Sequence, residues 1–532
     1  MWKAVLLALL ATLGPVRAAR AGDGDAPVDR ERLRKAVTLP ASAGPRGWYY
    51  TLEPDGRVLA SGDTDARRDL TALRTAAARD DADAQLWTDL ASAYRRAGDA
   101  NRATECVARA VAVLRKQSVE HPDDGATLAA LGLALHAAGD EAGAERSIAT
   151  AAAAPRNAWA GLAASGDLAV IRGAAKAAGR AFATCDDAQR WLGRDEQRAM
   201  RLDGACVDEA ERRYSAALES LAGPGVAGTD VASVCARRHT VHAIRFARAT
   251  ASDDPKGAAT ARARADADER RALEALPDDP FAVLLLVLAD AMGEPDAEGN
   301  RRVRRSADLP PEARAKVEGG EAQLRKLAAS ADAGTSARAL QAVACAQWFV
   351  HQDGAAAESA LRKSVAKDPR RDSSWNALIH VLGGSGRGED LTKLCREWNA
   401  TGDASARKRM LLAVLLATAG DTDGAEKEWR AALALDPGGV ETNLGLAALV
   451  LRRAEDDADL AEAARRIEVA KAAVAAAGDE ADPGLSAHCD LLEAVALGLS
   501  GDVAGAERAA RRLIRAAGEI PVAREILGAI GK

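Results

Sequence analysis

The sequence predicts an all-α fold, a solenoid of antiparallel helix pairs with a small N-terminal β-hairpin. Three observations predict it. Gly-Asp, followed at a fixed distance by Ala, recurs as Gly98-Asp99 with Ala103, Gly139-Asp140 with Ala144, Gly420-Asp421 with Ala425 and Gly501-Asp502 with Ala506. In each copy Gly closes one amphipathic helix, Asp caps the next, and Ala lets the second helix lie close to the first. Hydrophobic residues make up 48% of the chain but aromatics only 3%, so packing rests on Ala, Leu and Val, which favours helices over sheets. Pro369 and Pro437 lie 68 residues apart, twice a period of about 34.

The first 21 residues read as a secretory signal. Lys3 supplies charge, Ala4 to Val16 an apolar run, and Ala19-Arg20-Ala21 a cleavage site, with the cut placed after Ala21 and an alternative after Ala18. The run is shorter than the roughly 20 residues needed to span a bilayer. No later stretch is apolar enough to do so, so the mature chain is expected to have no transmembrane segment.

Residues 22–62 form a tether and the hairpin. A short helix is expected from Asp29 to Val37, and Trp48-Tyr49-Tyr50-Thr51-Leu52 and Arg57-Val58-Leu59-Ala60 flank the turn chemistry of Pro54-Asp55-Gly56. A lone hairpin is barely stable in water, so it is expected to cap the first helices. Repeats follow over 63–159, divergent Ala/Arg-rich helices over 160–280 with a break at Gly223-Pro224-Gly225, and a second array over 281–532.

In that second array Leu412, Ala413 and Leu416 share one helical face, Gly420-Asp421 turns the chain, and Ala425, Trp429 and Ala432 share a face of the next helix. Leu361, Cys395 and Trp429 hold the same place in successive units. This pattern resembles the tetratricopeptide repeat family. Trp87, Leu90, Ala91 and Tyr94 fit its first helix and Ala103, Val107 and Ala110 its second; Leu131, Gly132 and Leu135, then Ala144, Ile148 and Ala151, fit the next unit; Trp375, Leu378 and Leu382 fit a later first helix. Leu391, Cys395 and Trp398 replace the usual small residues of the helix that follows. Two stretches run long: Ala110 to Pro122, expected to extend a helix by about two turns, and Leu446 to Pro483, with a break at Glu455-Asp456-Asp457.

The resemblance implies a superhelix whose inner groove binds protein. It places Phe349, Asn376, His380, Met410 and Val414 in that groove, with Asn376 and His380 spaced i, i+4 and Met410 and Val414 repeating that spacing in the next unit. The Lys/Asn pattern of domains that clamp chaperone C-termini is not visible at these positions.

Chemistry is scarce. His239-x-x-His242 begins a metal site without completing one, and no metalloprotease, haem-attachment, nucleophile-elbow or phosphate-loop motif occurs. The seven cysteines are scattered and read as small buried side chains, the alternative being one or two disulfides, with Cys185 and Cys206 the nearest pair in sequence. Arg301, Arg302, Arg304 and Arg305 read as solvated surface, and the formal charge of -6 from 72 basic and 78 acidic residues requires no nucleic acid. The expectation is therefore a non-catalytic, exported scaffold, periplasmic or extracellular, that binds a protein or peptide partner and needs no cofactor. The alternative is an envelope enzyme or enzyme subunit with its site in the divergent middle, betrayed by a deep polar pocket between Ala160 and Leu276. Homo-oligomers through terminal units are a third reading.

Overall fold

The computed structural model describes residues 28–37, 50–52, 58–60, 70–96, 99–192, 198, 200–222, 226–292, 302–385, 387–401, 405–477, 483–517 and 521–531. The expected signal segment, most of the tether, Trp48, Tyr49, the Pro54-Asp55-Gly56 turn and Gly223-Pro224-Gly225 lie outside the described residues. The chain forms two compact units: one is residues 48–374, the other joins the N-terminal segment to residues 375–532. Helix α1 (Arg30–Ala36) belongs to the second.

In the unit 48–374, Tyr50–Leu52 (β1) and Val58–Ala60 (β2) lie antiparallel with Tyr50 opposite Ala60. A two-stranded ribbon of three residue pairs adds little stability by itself. The architecture is accordingly an all-α helical repeat solenoid, and the expected β cap is not a supported part of it. Helices α2 (Leu70–Arg79), α3 (Ala84–Arg96), α4 (Ala100–Glu120), α5 (Gly125–Ala137) and α6 (Glu141–Ala152) come first. The divergent stretch holds α7 (Ala158–Ala178), α8 (Cys185–Leu192), α9 (Gly204–Ser220), α10 (Gly228–Ala251) and α11 (Pro255–Glu274). Then follow α12 (Pro280–Ala291), α13 (Pro311–Ala328), α14 (Ala333–Ala346), whose end widens into a π-turn over Gln347–His351, and α15 (Gly354–Lys367). Sequential neighbours α3 and α4, α5 and α6, α10 and α11, and α14 and α15 pack as hairpins. In the divergent stretch α7 instead finds its main partner in α9, with the eight-residue α8 between them in sequence.

Helix α16 (Asp372–Gly384) crosses into the other unit, which continues with α17 (Gly388–Ala400), α18 (Ala406–Thr418), α19 (Thr422–Leu435), α20 (Val440–Arg453), α21 (Asp457–Ala477), α22 (Pro483–Ser500), α23 (Val503–Ala517) and α24 (Pro521–Ala529). Here α18 and α19, α20 and α21, and α22 and α23 form hairpins, while the first helices α18, α20, α22 and α24 also touch in succession.

Gly98 lies outside the described residues; the other three Gly-Asp turns act as expected. Gly139, Gly420 and Gly501 have φ of +84°, +87° and +89°, a left-handed conformation that costs a residue with a side chain far more. The following Asp amide reaches back to a carbonyl of the preceding helix, Asp140 to Leu135, Asp421 to Leu416 and Asp502 to Leu497, each at 2.9 Å. Its carboxylate then accepts the amide of Gly143, Gly424 or Gly505 at 2.8–2.9 Å, capping the next helix. Asp99 caps Arg102 in the same way at 3.1 Å. The paired alanines Ala103, Ala144, Ala425 and Ala506 are all buried.

The repeat also shows in the backbone. Asp368 and Asp436, one at the end of α15 and the other at the end of α19, share φ -138° and ψ 86°. Leu361, Cys395 and Trp429, the three equivalent residues, are each 0% exposed. The long stretches are accounted for by 21-residue second helices, α4 and α21, with the chain turning between Arg453 and Asp457. All seven cysteines are free, Cys185 and Cys206 included.

Trp429 fills the seam between α18, α19 and their neighbours, yet its indole nitrogen, buried, has no hydrogen-bond partner. Trp429→Ala should cost about 3–5 kcal/mol by leaving a cavity. Trp429→Phe should cost distinctly less, because it removes the unpaired N–H along with some volume. Urea unfolding followed by circular dichroism distinguishes the two; equal losses would contradict this packing.

Candidate protein-binding surface

The five groove residues separate into two classes. Asn376 and Met410, 34 positions apart, are 1% and 3% exposed and so do not line a groove. The reason lies in their helices. In α16 Trp375, Ala377, Leu378, Ile379, Val381 and Leu382 are buried as well, and in α18 Met410 sits among buried Leu411, Leu412 and Ala413. An inner helix held between its own partner and adjoining hairpins buries more than one stripe, so an i, i+4 pair need not face one way. His380 and Val414, the other pair of equivalent positions, remain half-buried, as does Phe349 on the π-turn of the other unit. Burial holds the His380 imidazole below its ordinary value of 6.5, so it is neutral at pH 7.

The surface that sequence reasoning missed lies on the last hairpins. Helix α1 packs against α20 and α22, the first helices of the last two hairpins, and against the terminal helix α24. The Asp29 carboxylate caps α1 by accepting the Arg32 amide at 3.0 Å, and the Asp29 amide donates to the Ala529 carbonyl at 2.8 Å. Leu33, Ala36 and Val37 are 0%, 4% and 2% exposed, while Arg30, Glu31 and Lys35 face solvent. Polar anchors hold the rim. Arg34 donates to the Ala454 carbonyl at 2.6 Å, and the Arg452 guanidinium donates to the Val37 carbonyl at 3.0 and 3.3 Å.

Gly498 forms the floor: a β-carbon there would lie 2.7 Å from Leu33 Cδ1. Glycine inside a helix costs about 1 kcal/mol relative to alanine, and this close approach is what it permits. The only local signals were the helical spacing of Leu33, Ala36 and Val37 and the cap at Asp29.

The divergent stretch carries charge, arranged in closed pairs. Tyr214, fully buried, donates to Asp167 Oδ1 at 2.8 Å, and Arg237 Nε lies 3.2 Å from the same oxygen. Burial, and then the Asp167 charge, push the Tyr214 phenol and the Cys185 thiol well above their ordinary ranges. On α10, Arg238 grips Asp268 with Nε at 2.9 Å and donates to Ser215 Oγ at 3.1 Å. His239 bonds through Nδ1 to the Ala265 carbonyl at 3.0 Å, whereas His242 Nε2 lies 3.5 Å from Asp268, so the two imidazoles do not converge on a metal. Among the described residues no group of three or more His, Cys, Asp or Glu is placed to hold one.

A cleft of about 530 Å³ opens beside this layer, lined by Asp208, Arg245, Arg248, Asp254, Lys256 and Arg264. Its acids are taken: Asp208 binds Arg245 at 2.7 Å, and Asp254 caps α11 through Gly257 at 2.9 Å. A carboxylate paired with a guanidinium group is a weak general base. Among the described residues no helix is long and apolar enough to cross a membrane, and Arg302, Arg304 and Arg305 are solvent-exposed.

Burial lowers the His242 pKa below the ordinary 6.5. The unfolded chain therefore takes up a proton that the folded chain resists, and stability declines as pH falls below about 6.5. The urea midpoint should drop between pH 7.5 and 5.5, and His242→Gln should flatten part of that slope. At pH 7, Arg238→Leu should cost about 3 kcal/mol by leaving Asp268 buried without its cation.

No family model matches the sequence, and no curated protein matches it. Solved structures do. Yeast Tom70 is 15% identical, covering 86% of this chain and 90% of its own at a TM-score of 0.37. A second match is to the APC/C hetero-tetramer Cut9-Hcn1, 11% identical, covering 87% of this chain and 86% of the other at a TM-score of 0.31. With phased Gly-Asp turns, paired helices and buried equivalent residues, the chain is an all-α helical repeat protein in its architecture.

Proposed function

We propose that this chain is a non-catalytic, exported scaffold that recruits another protein through the inner helices of its repeats. The observation that supports it is the division of labour within the hairpins. Second helices bury their large residues, such as Leu361, Trp398 and Trp429, in the seam. First helices leave His380 and Val414 partly open at equivalent positions, one unit apart. Residues presented at a fixed spacing on a stiff support bind an extended partner at little ordering cost to the support. Phe349 offers a separate apolar contact on the unit 48–374.

Export belongs to the same reading and rests on the Lys3, Ala4 to Val16 and Ala19-Arg20-Ala21 pattern. The compartment is then periplasmic or extracellular, and sequencing the N-terminus of the secreted protein should find Gly22 first.

Affinity capture with residues 22–532, followed by identification of the retained proteins, tests the scaffold. His380→Ala should weaken capture at least threefold while leaving the melting temperature within a few degrees. Asn376→Ala, a buried substitution, should instead lower the melting temperature. Capture that is indifferent to His380 and Val414 would remove these inner helices from the binding surface.

A further inference from the structure

We propose that the groove formed by α20, α22 and α24 is a docking site for a short amphipathic helix from another protein, and that residues 29–37 occupy it in cis as a tethered competitor. The inference rests on the scaffold reading and names the class of partner. The occupant already in the groove defines that class. It is a helix capped by an acidic residue, with Leu at one position, small apolar residues three and four places later, and an Arg between them.

Three features mark the contact as that of a ligand with a site. The helix touches α20 and α22, the first helices of consecutive hairpins, together with the terminal helix α24, as a peptide lying across the units would. It has only seven residues, too few to be helical by itself in water, so its helicity is induced by the groove. The groove supplies complementary parts: a glycine floor at Gly498 under Leu33, the Ala454 carbonyl for Arg34, and the Arg452 guanidinium for the carbonyl that ends the helix. With three apolar side chains and a few polar anchors, such a contact is replaceable. Covalent attachment compensates by keeping the segment at an effective concentration on the order of mM, which sets the affinity a partner helix has to exceed.

The probe is a fluorescent synthetic peptide of residues 28–38, titrated by anisotropy against the full chain. Leu33→Asp places a charge on the glycine floor and should free the groove, so this variant should bind the peptide at least tenfold more tightly than the unmodified chain. Adding Gly498→Leu to Leu33→Asp fills the Leu33 pocket and should abolish binding. If Leu33→Asp fails to fold, Arg34→Ala, which removes the segment's own anchor on the Ala454 carbonyl and leaves the groove unchanged, should still tighten binding of the unmodified peptide at least threefold.

Equal binding by the variant and the unmodified chain, or binding by neither, overturns the proposal. It would leave the scaffold reading standing if capture still depends on His380. A concentration-dependent dimer that exchanges residues 29–37 between copies also overturns it, because the occupant would then be a second copy of this chain.

Discussion

The architecture depends on one small clamp, an aspartate carboxylate that accepts the first free amides of a helix just after a left-handed glycine has ended the previous one. Two bonds fix the angle between the paired helices. The Asp421 amide reaches back to Leu416 and its carboxylate reaches forward to Gly424, so both helices are tied to one residue. Helix termini carry unsatisfied groups that must find partners, and here the turn satisfies both ends at once. With the angle fixed, the buried alanine one turn on, Ala425, brings the backbones close enough for Trp429 and Leu412 to fill the seam. Repetition of the clamp produces a repetition of the seam.

A chain with few aromatic residues needs many close helix contacts, and that choice governs its polar groups too. Ser364 bonds to the Ala337 carbonyl at 2.7 Å and to Ser374 at 2.8 Å, and Ser373 bonds to Gln341 at 3.0 Å, all inside the packing. Asp167 with Tyr214 and Asp268 with Arg238 solve the same problem with charge. Buried polar groups of this kind are stable only when partnered.

The repeat was legible because its signals are local. Gly139, Gly420 and Gly501 report the backbone conformation at their own positions, and the spacing of Leu412, Leu416 and Trp429 reports a buried face. What a face is buried against is not local. The spacing of Asn376 and Met410 carries no information on how many neighbours press on their helices, and both side chains ended inside. His380 and Val414, one turn further along the same helices, stayed partly open. The pairing of α7 with α9 across a short intervening helix and the docking of α1 on the last hairpins escaped for the same reason. The Arg34 contact to Ala454 spans 420 residues, and no window of sequence holds both partners.

That separation bears on how the protein is made. Translation runs at about 5–20 residues per second, so the segment around Leu33 leaves the ribosome on the order of half a minute or more before Gly498 exists to receive it. During that interval it is too short to hold a helix alone, while hairpins built from sequential neighbours can close as they emerge. The earliest piece of the unit to be synthesised is therefore the last to find its place, and completion of the C-terminal end is the event that gathers it in.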